Sequence, residues 1–196
     1  MKKAILFFSL ALLVAPYAVA EDAVGDPYSL NYCAVTGEPL GSEGDPVILV
    51  HEGRQIRFCC GGCEPRFNAD PAKYLAEVDA KMIAEQDKHY PMDTCVVSGK
   101  ALDENAVTKV VANREMKFCC GNCPKAAAGD PAKFIAKLDE AVIAKQAESY
   151  TLKTCPVSGE ALGSMGEPVN MVVANRLIKL CCAGCTKQVA KVPAKY

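Results

Sequence analysis

The chain has 196 residues and a formal charge of −1, with 22 basic and 23 acidic side chains. No strong field favours nucleic acid or anionic lipid, and an apolar fraction of 51% excludes wholesale disorder. Twelve cysteines against two histidines and no tryptophan demand disulfides, metal or redox chemistry, and aromatics at 7% point to small cross-linked units.

Met1-Lys2-Lys3, the apolar run Ala4 to Val14, and Ala18-Val19-Ala20 before Glu21 have the order of a secretory signal peptide over residues 1–20. Eleven apolar residues fall short of the roughly 20 that span a bilayer. No cysteine follows the cleavage position to carry a lipid. The expectation is an exported protein, with a bacterial style of leader and the periplasm as its compartment. No membrane insertion is expected after cleavage.

The remainder is one unit written three times. Cys33-Ala34-Val35-Thr36-Gly37 returns as Cys95-Val96-Val97-Ser98-Gly99 and as Cys155-Pro156-Val157-Ser158-Gly159. Phe58-Cys59-Cys60-Gly61-Gly62-Cys63 returns as Phe118-Cys119-Cys120-Gly121-Asn122-Cys123 and as Leu180-Cys181-Cys182-Ala183-Gly184-Cys185. Tyr74, Phe134 and Tyr196 follow at one fixed interval. The units cover residues 31–90, 92–150 and 152–196, the last reaching Tyr196 where its long helix would start. Between first cysteine and cysteine pair, repeat two is two residues shorter: Asp103-Glu104-Asn105 replaces the longer turns 41–46 and 163–168. Loops absorb such changes, whereas the spacing inside Cys-Cys-x-x-Cys is invariant, as a site requires.

Within each unit, strands over Val47 to Val50 and Gln55 to Phe58 flank Glu52-Gly53. Val107 to Val111 and Val169 to Val173 precede Asn113 and Asn175 in the same way, so each pair reads as a β-hairpin. Asp70-Pro71 and Asp130-Pro131 are an N-cap and first-turn proline. Tyr74, Leu75, Val78, Met82 and Ile83 then share a helical face, as do Phe134, Ile135, Leu138, Val142 and Ile143 on a helix from Pro131 to about Ala147. These helices double as connectors between repeats. The fold class is α+β, with small zinc-ribbon or treble-clef-like repeats of knuckle turn, hairpin and helix.

Such a layout brings a thiolate from the first turn to thiolates at a helix entry, where backbone amides favour negative sulfur. Thiolates select zinc or Cu(I). Two histidines cannot serve three sites, and His51 in a strand and His89 at a helix end read as solvated surface residues. The candidate ligands are Cys33, Cys59, Cys60 and Cys63; Cys95, Cys119, Cys120 and Cys123; and Cys155, Cys181, Cys182 and Cys185.

Cys-x-x-Ser-Gly, then Phe-Cys-Cys-x-x-Cys, then Asp-Pro-Ala-Lys-Tyr resembles the YHS and TRASH-type domains, small cysteine motifs of heavy-metal trafficking, resistance and sensing. The resemblance covers residues 31 to 196. It departs at Thr36, Ser98 and Ser158, where those signatures carry cysteine, and in a slightly longer upstream gap. It implies that Cys33, Cys59, Cys63 and their equivalents are the main ligands, with Cys60, Cys120 and Cys182 as a fourth ligand or resolving thiol. It further implies a buffering, carrying or sensing role, up to three zinc or Cu(I) ions per chain, and a metal exporter or other periplasmic metal protein as partner.

Two other readings stand beside metal binding. In an oxidising compartment four cysteines per small unit fit disulfides tying the first turn to Cys-Cys-x-x-Cys, in a secreted interaction module. The C-x-x-C segments also fit a thiol–disulfide redox protein, although each unit is too short for a thioredoxin-like βαβ domain. No nucleophile elbow, phosphate loop or two-histidine zinc helix is present, so no catalysed reaction is expected.

Overall fold

The computed structural model describes residues 23–196; the leader read in residues 1–20 lies outside them. Each repeat contributes one antiparallel hairpin: β1 (Val47–His51) with β2 (Arg54–Phe58), β3 (Val107–Val111) with β4 (Arg114–Phe118), and β5 (Val169–Val173) with β6 (Arg176–Leu180). His51 pairs with Arg54, Val111 with Arg114 and Val173 with Arg176, leaving two-residue turns. Both turn residues have positive φ in all three: Glu52-Gly53 at 51° and 76°, Ala112-Asn113 at 49° and 64°, Ala174-Asn175 at 52° and 60°. That geometry matches the right-handed strand twist, which is why asparagine and glycine hold the second place.

After each hairpin comes a short helix: α1 (Cys63–Ala69), α3 (Cys123–Gly129) and α5 (Gly184–Lys191). The sequence shows no helical period over stretches this brief. The long helices α2 (Pro71–Gln86) and α4 (Pro131–Gln146) are separate and begin at the expected prolines. Their Asp70 and Asp130 side chains accept from the backbone N–H of Lys73 and Lys133 at 3.2 and 3.3 Å. Repeat three has α5 and a 3-10 turn over Pro193–Lys195. Among the described residues no helix is long and apolar enough to cross a membrane.

The long helices serve two repeats at once. Phe134 and Leu138 of α4 pack with Met116 and Phe118 in the core of repeat two. Val142, one turn later, is fully buried with Val172 and Leu177 of repeat three. The single apolar face of α4 is therefore split between two hairpins. Gln146 clips the second contact: its Nε2 donates to Asn175 O at 2.9 Å and its Oε1 accepts from Leu177 N at 2.8 Å. Gln86 of α2 repeats this on the second hairpin, with Asn113 O at 3.0 Å and Glu115 N at 2.8 Å. Repeat three closes back on repeat one, where Arg57 donates to Lys191 O and Ala190 O at the end of α5 at 2.7 and 2.9 Å. In repeat three Tyr196 packs against the core, on the interval shared with Tyr74 and Phe134.

The three hairpin turns meet on the segment before repeat one. Val24 N donates to Gly53 O at 2.7 Å, Asp26 N donates to Ala112 O at 3.0 Å, and the Asp26 carboxylate accepts from Ala174 N at 2.7 Å. Gly25 lies between them at φ 96°, and a Cβ there would collide with Ala112. Only glycine threads this gap.

Candidate metal centres

The first cysteine of each set sits in a tight turn. Cys33 O accepts from Gly37 N at 3.0 Å and Cys33 N donates to Glu38 O at 2.7 Å; Cys95 and Cys155 make the same pair of bonds with Gly99 and Lys100, and with Gly159 and Glu160. Gly37, Gly99 and Gly159 have φ of 74°, 72° and 78°, so the turn needs the glycine that the motif supplies. The knuckle is tied to its hairpin by Ala34 N donating to Arg57 O at 3.1 Å. The second cysteine leaves the end of β2, β4 or β6. The last opens α1 or α3 or follows the first residue of α5.

Turn, strand end and helix entry converge. The Sγ atoms of Cys33, Cys59 and Cys63 lie within 4.8 Å of one another, as do those of Cys95, Cys119 and Cys123, and of Cys155, Cys181 and Cys185. Cys59 and Cys63 stand 3.7 Å apart, Cys119 and Cys123 3.9 Å, and Cys181 and Cys185 3.8 Å. A metal–sulfur bond of about 2.3 Å places two thiolates on one ion about 4 Å apart, so the donor set fits a thiophilic ion. All three groups are close enough to bind metal.

Cys60, Cys120 and Cys182 stand outside these triads. Each lies against the last cysteine of its set, at 3.9, 3.5 and 3.9 Å respectively. Cys120 is exposed and the other two are half-buried. All twelve thiols are free in the structure. Neither histidine joins a cysteine group: His51 packs edge-on to Phe67 with ring centres 5.2 Å apart, and His89 ends the 3-10 turn after α2.

Hydroxyls complete each site. Thr36 Oγ1 lies 3.6 Å from Cys59 Sγ, and Ser98 and Ser158 Oγ lie 3.3 Å from Cys119 and Cys181 Sγ. These occupy the knuckle position where the YHS and TRASH signatures carry cysteine. The sequence signal was a hydroxyl three residues after the first cysteine in every repeat.

Electrostatics divides each triad. Burial alone would raise the Cys33 thiol, but hydrogen bonds from the Thr36 side chain and from the backbone of Thr36, Cys59 and Val35 together bring it down to about 7. Burial is likewise outweighed at Cys95 and Cys155, which come down to about 6 through the side chain and backbone of Ser98 and Ser158 and the backbone of Cys119 and Cys181. Burial pushes Cys63, Cys123 and Cys185 the other way, up to about 12, reinforced by the neighbouring sulfurs. Each site thus holds a ready thiolate on the turn and a protonated thiol at the helix entry. Exposed Cys120 and half-buried Cys182 are lowered, chiefly by backbone amides of Asn122 and Cys185 respectively.

Comparison of the chain with protein-family models, with curated proteins and with solved structures finds no match.

Proposed function

We propose that this is an exported, non-catalytic heavy-metal-binding protein that buffers, carries or senses copper or zinc through cysteine thiolates. The observation that carries the reading is the triad built three times from the same three elements, with every sulfur in a triad within 4.8 Å of its partners. Such a donor set suits a borderline or soft ion, and the lowered thiol of Cys33, Cys95 or Cys155 reduces the cost of loading it. The cysteine motifs, similar to those of YHS and TRASH-type domains, supply the role in metal trafficking, resistance or sensing and an exporter or periplasmic metal protein as partner. The leader-like residues 1–20 supply the periplasmic address.

Elemental analysis with thiol counting tests this on protein purified from its own compartment without reductant. The expected result is up to three zinc or copper ions per chain. A metal-free protein without titratable thiols, whose reduced form takes up neither zinc nor Cu(I), would establish the disulfide-stapled module instead.

A further inference from the structure

A second kind of site lies away from the cysteines. Arg54, Arg114 and Arg176 open the second strand of their hairpins at equivalent places. Arg54 pairs with Asp79 of α2, and Arg114 pairs with Asp26 and with Asp139 of α4. Arg176 pairs with no carboxylate among the described residues, although the same hairpin geometry presents its guanidinium. Instead it lines a cleft of about 290 Å³ where three parts of the chain meet. Lys88 and His89 come from the end of repeat one, Ala194 from the end of repeat three, and Ser29 from the N-terminal segment. Ser29 is 7% exposed, and its hydroxyl has no hydrogen-bond partner. A buried hydroxyl without a partner costs about 1–3 kcal/mol, so an acceptor or donor arriving there is favoured.

We propose that this cleft is a binding site for a small carboxylate ligand, held by the Arg176 guanidinium with Lys88 and His89 beside it and Ser29 within reach. Carboxylate is chosen over other anions because both sibling arginines grip carboxylates, Arg54 one and Arg114 two, and the planar fork matches that group. The cleft carries two fixed cations and a titratable imidazole against one acid, Glu85. The charged groups around His89 are Lys88 on its own turn, Glu85 on α2, Arg176 on β6 and Lys145 across the adjoining cleft on α4. Burial, Arg176 and Lys88 hold its imidazole below the usual range. A bound carboxylate reverses the last two effects, so binding draws a proton onto His89. The site is independent of the cysteine triads and of any metal they hold.

The test is an NMR titration of the purified reduced protein with succinate, following the two histidine rings at constant ionic strength. Succinate should shift the His89 signals saturably, leave His51 unmoved, and raise the midpoint of His89 titration by roughly 0.5 pH unit. Arg176→Gln should weaken the response about tenfold or more, and Arg176→Lys should recover only part of it. Sodium sulfate at equal ionic strength should give a weaker response. Three results would overturn the assignment: no saturable shift of His89, an unchanged shift in Arg176→Gln, or an equal response to sulfate. The succinate and sulfate arms on wild type can each overturn the site without any variant having to fold.

Discussion

Arg114 and Asp26 form a buried two-pronged ion pair across 88 residues of chain, with Nε to Oδ2 at 2.8 Å and Nη2 to Oδ1 at 2.7 Å. Asp139 holds the remaining guanidinium nitrogen at 2.7 Å, and Arg114 itself is fully buried. The same Asp26 carboxylate accepts from Ala174 N, so one side chain from outside the repeats joins hairpins two and three. Breaking a buried pair from one side strands the other charge, at a cost of about 3–5 kcal/mol. Asp26→Ala should therefore lower the thermal midpoint of the protein by about 10 °C. Circular-dichroism melts of the reduced protein measure this, and a midpoint within 2–3 °C of wild type would show, on about 2–4 °C per kcal/mol, that the pair is not a keystone.

Gly25 supports the same junction. Its backbone is left-handed, and a Cβ on it would collide with Ala112 O in the second hairpin turn. Gly25→Ala adds both strain and collision, and should destabilise by more than the roughly 1 kcal/mol of an ordinary glycine-to-alanine effect. Gly61→Ala, where a Cβ meets open space, is the matched control and should change little. Urea titrations of the two variants should separate cleanly; coincident curves would deny the close approach.

Glu115 is fully buried, and neither carboxylate oxygen has a hydrogen-bond partner. Burial, with Asp87 nearby and Lys117 partly offsetting it, pushes its carboxyl up to about 7. The native state then holds a proton that the unfolded state releases near pH 4.5, so stability falls as pH rises from about 4.5 to 7. Repeat one has Gln55 at this place, whose amide oxygen accepts from Tyr28 N and Arg57 Nε. Glu115→Gln should remove the penalty of about 3 kcal/mol at pH 8 and leave stability at pH 4.5 nearly unchanged. Equal denaturant midpoints for the two proteins at pH 8 would contradict this.

Metal affinity should follow the thiol on each knuckle turn. Cys33 ionises near 7 and Cys95 and Cys155 near 6, so all three are largely protonated at pH 5 and largely ionised at pH 8. Loading an ion at pH 5 must expel that proton, which at pH 8 has already left, whereas Cys63, Cys123 and Cys185 hold theirs at both pH values. Zinc binding should release about one more proton per ion at pH 5 than at pH 8, and weaken accordingly on acidification. Calorimetry in buffers of different ionisation enthalpy counts these protons. Identical counts at the two pH values would remove Cys33 and its equivalents from the ligand set.

The local parts of the molecule were legible because their signals are local. Turn glycines, the Asp-Pro caps and the invariant Cys-Cys-x-x-Cys each act within a few residues, and repetition in three copies separated them from accident. What escaped reading is set by distance. Nothing near Asp26 in sequence points to Arg114 or Ala174, and Gln86 and Gln146 look like solvated helix ends until a neighbouring hairpin covers them. The apolar stripe of α4 gave the face but not the owner: Phe134 and Val142 share a face while packing against different hairpins. The thiol–hydroxyl contacts at Thr36, Ser98 and Ser158 were visible only as a repeated side-chain type.

That division of α4 leads to a prediction about where damage travels. Phe134 packs with Met116 and Phe118, so Phe134→Ala opens a cavity inside repeat two and should cost about 3 kcal/mol or more. Val142 has Val172 and Leu177 as its buried neighbours, so Val142→Ala removes two methyls from the joint with repeat three, at about 2 kcal/mol. The two losses should appear in different places under hydrogen exchange. Phe134→Ala should speed exchange at amides of β3 and β4 first. Val142→Ala should speed exchange at Leu177 N, held by Gln146, and along β5 and β6, while β3 and β4 keep more of their protection. A chelator should widen the contrast if the triad of repeat three carries metal, because ligation then supports the same hairpin that Val142 of α4 covers. Should Val142→Ala instead loosen both hairpins equally, α4 and repeat three unfold as one unit with repeat two, and the joint is not a boundary between separately stabilised parts.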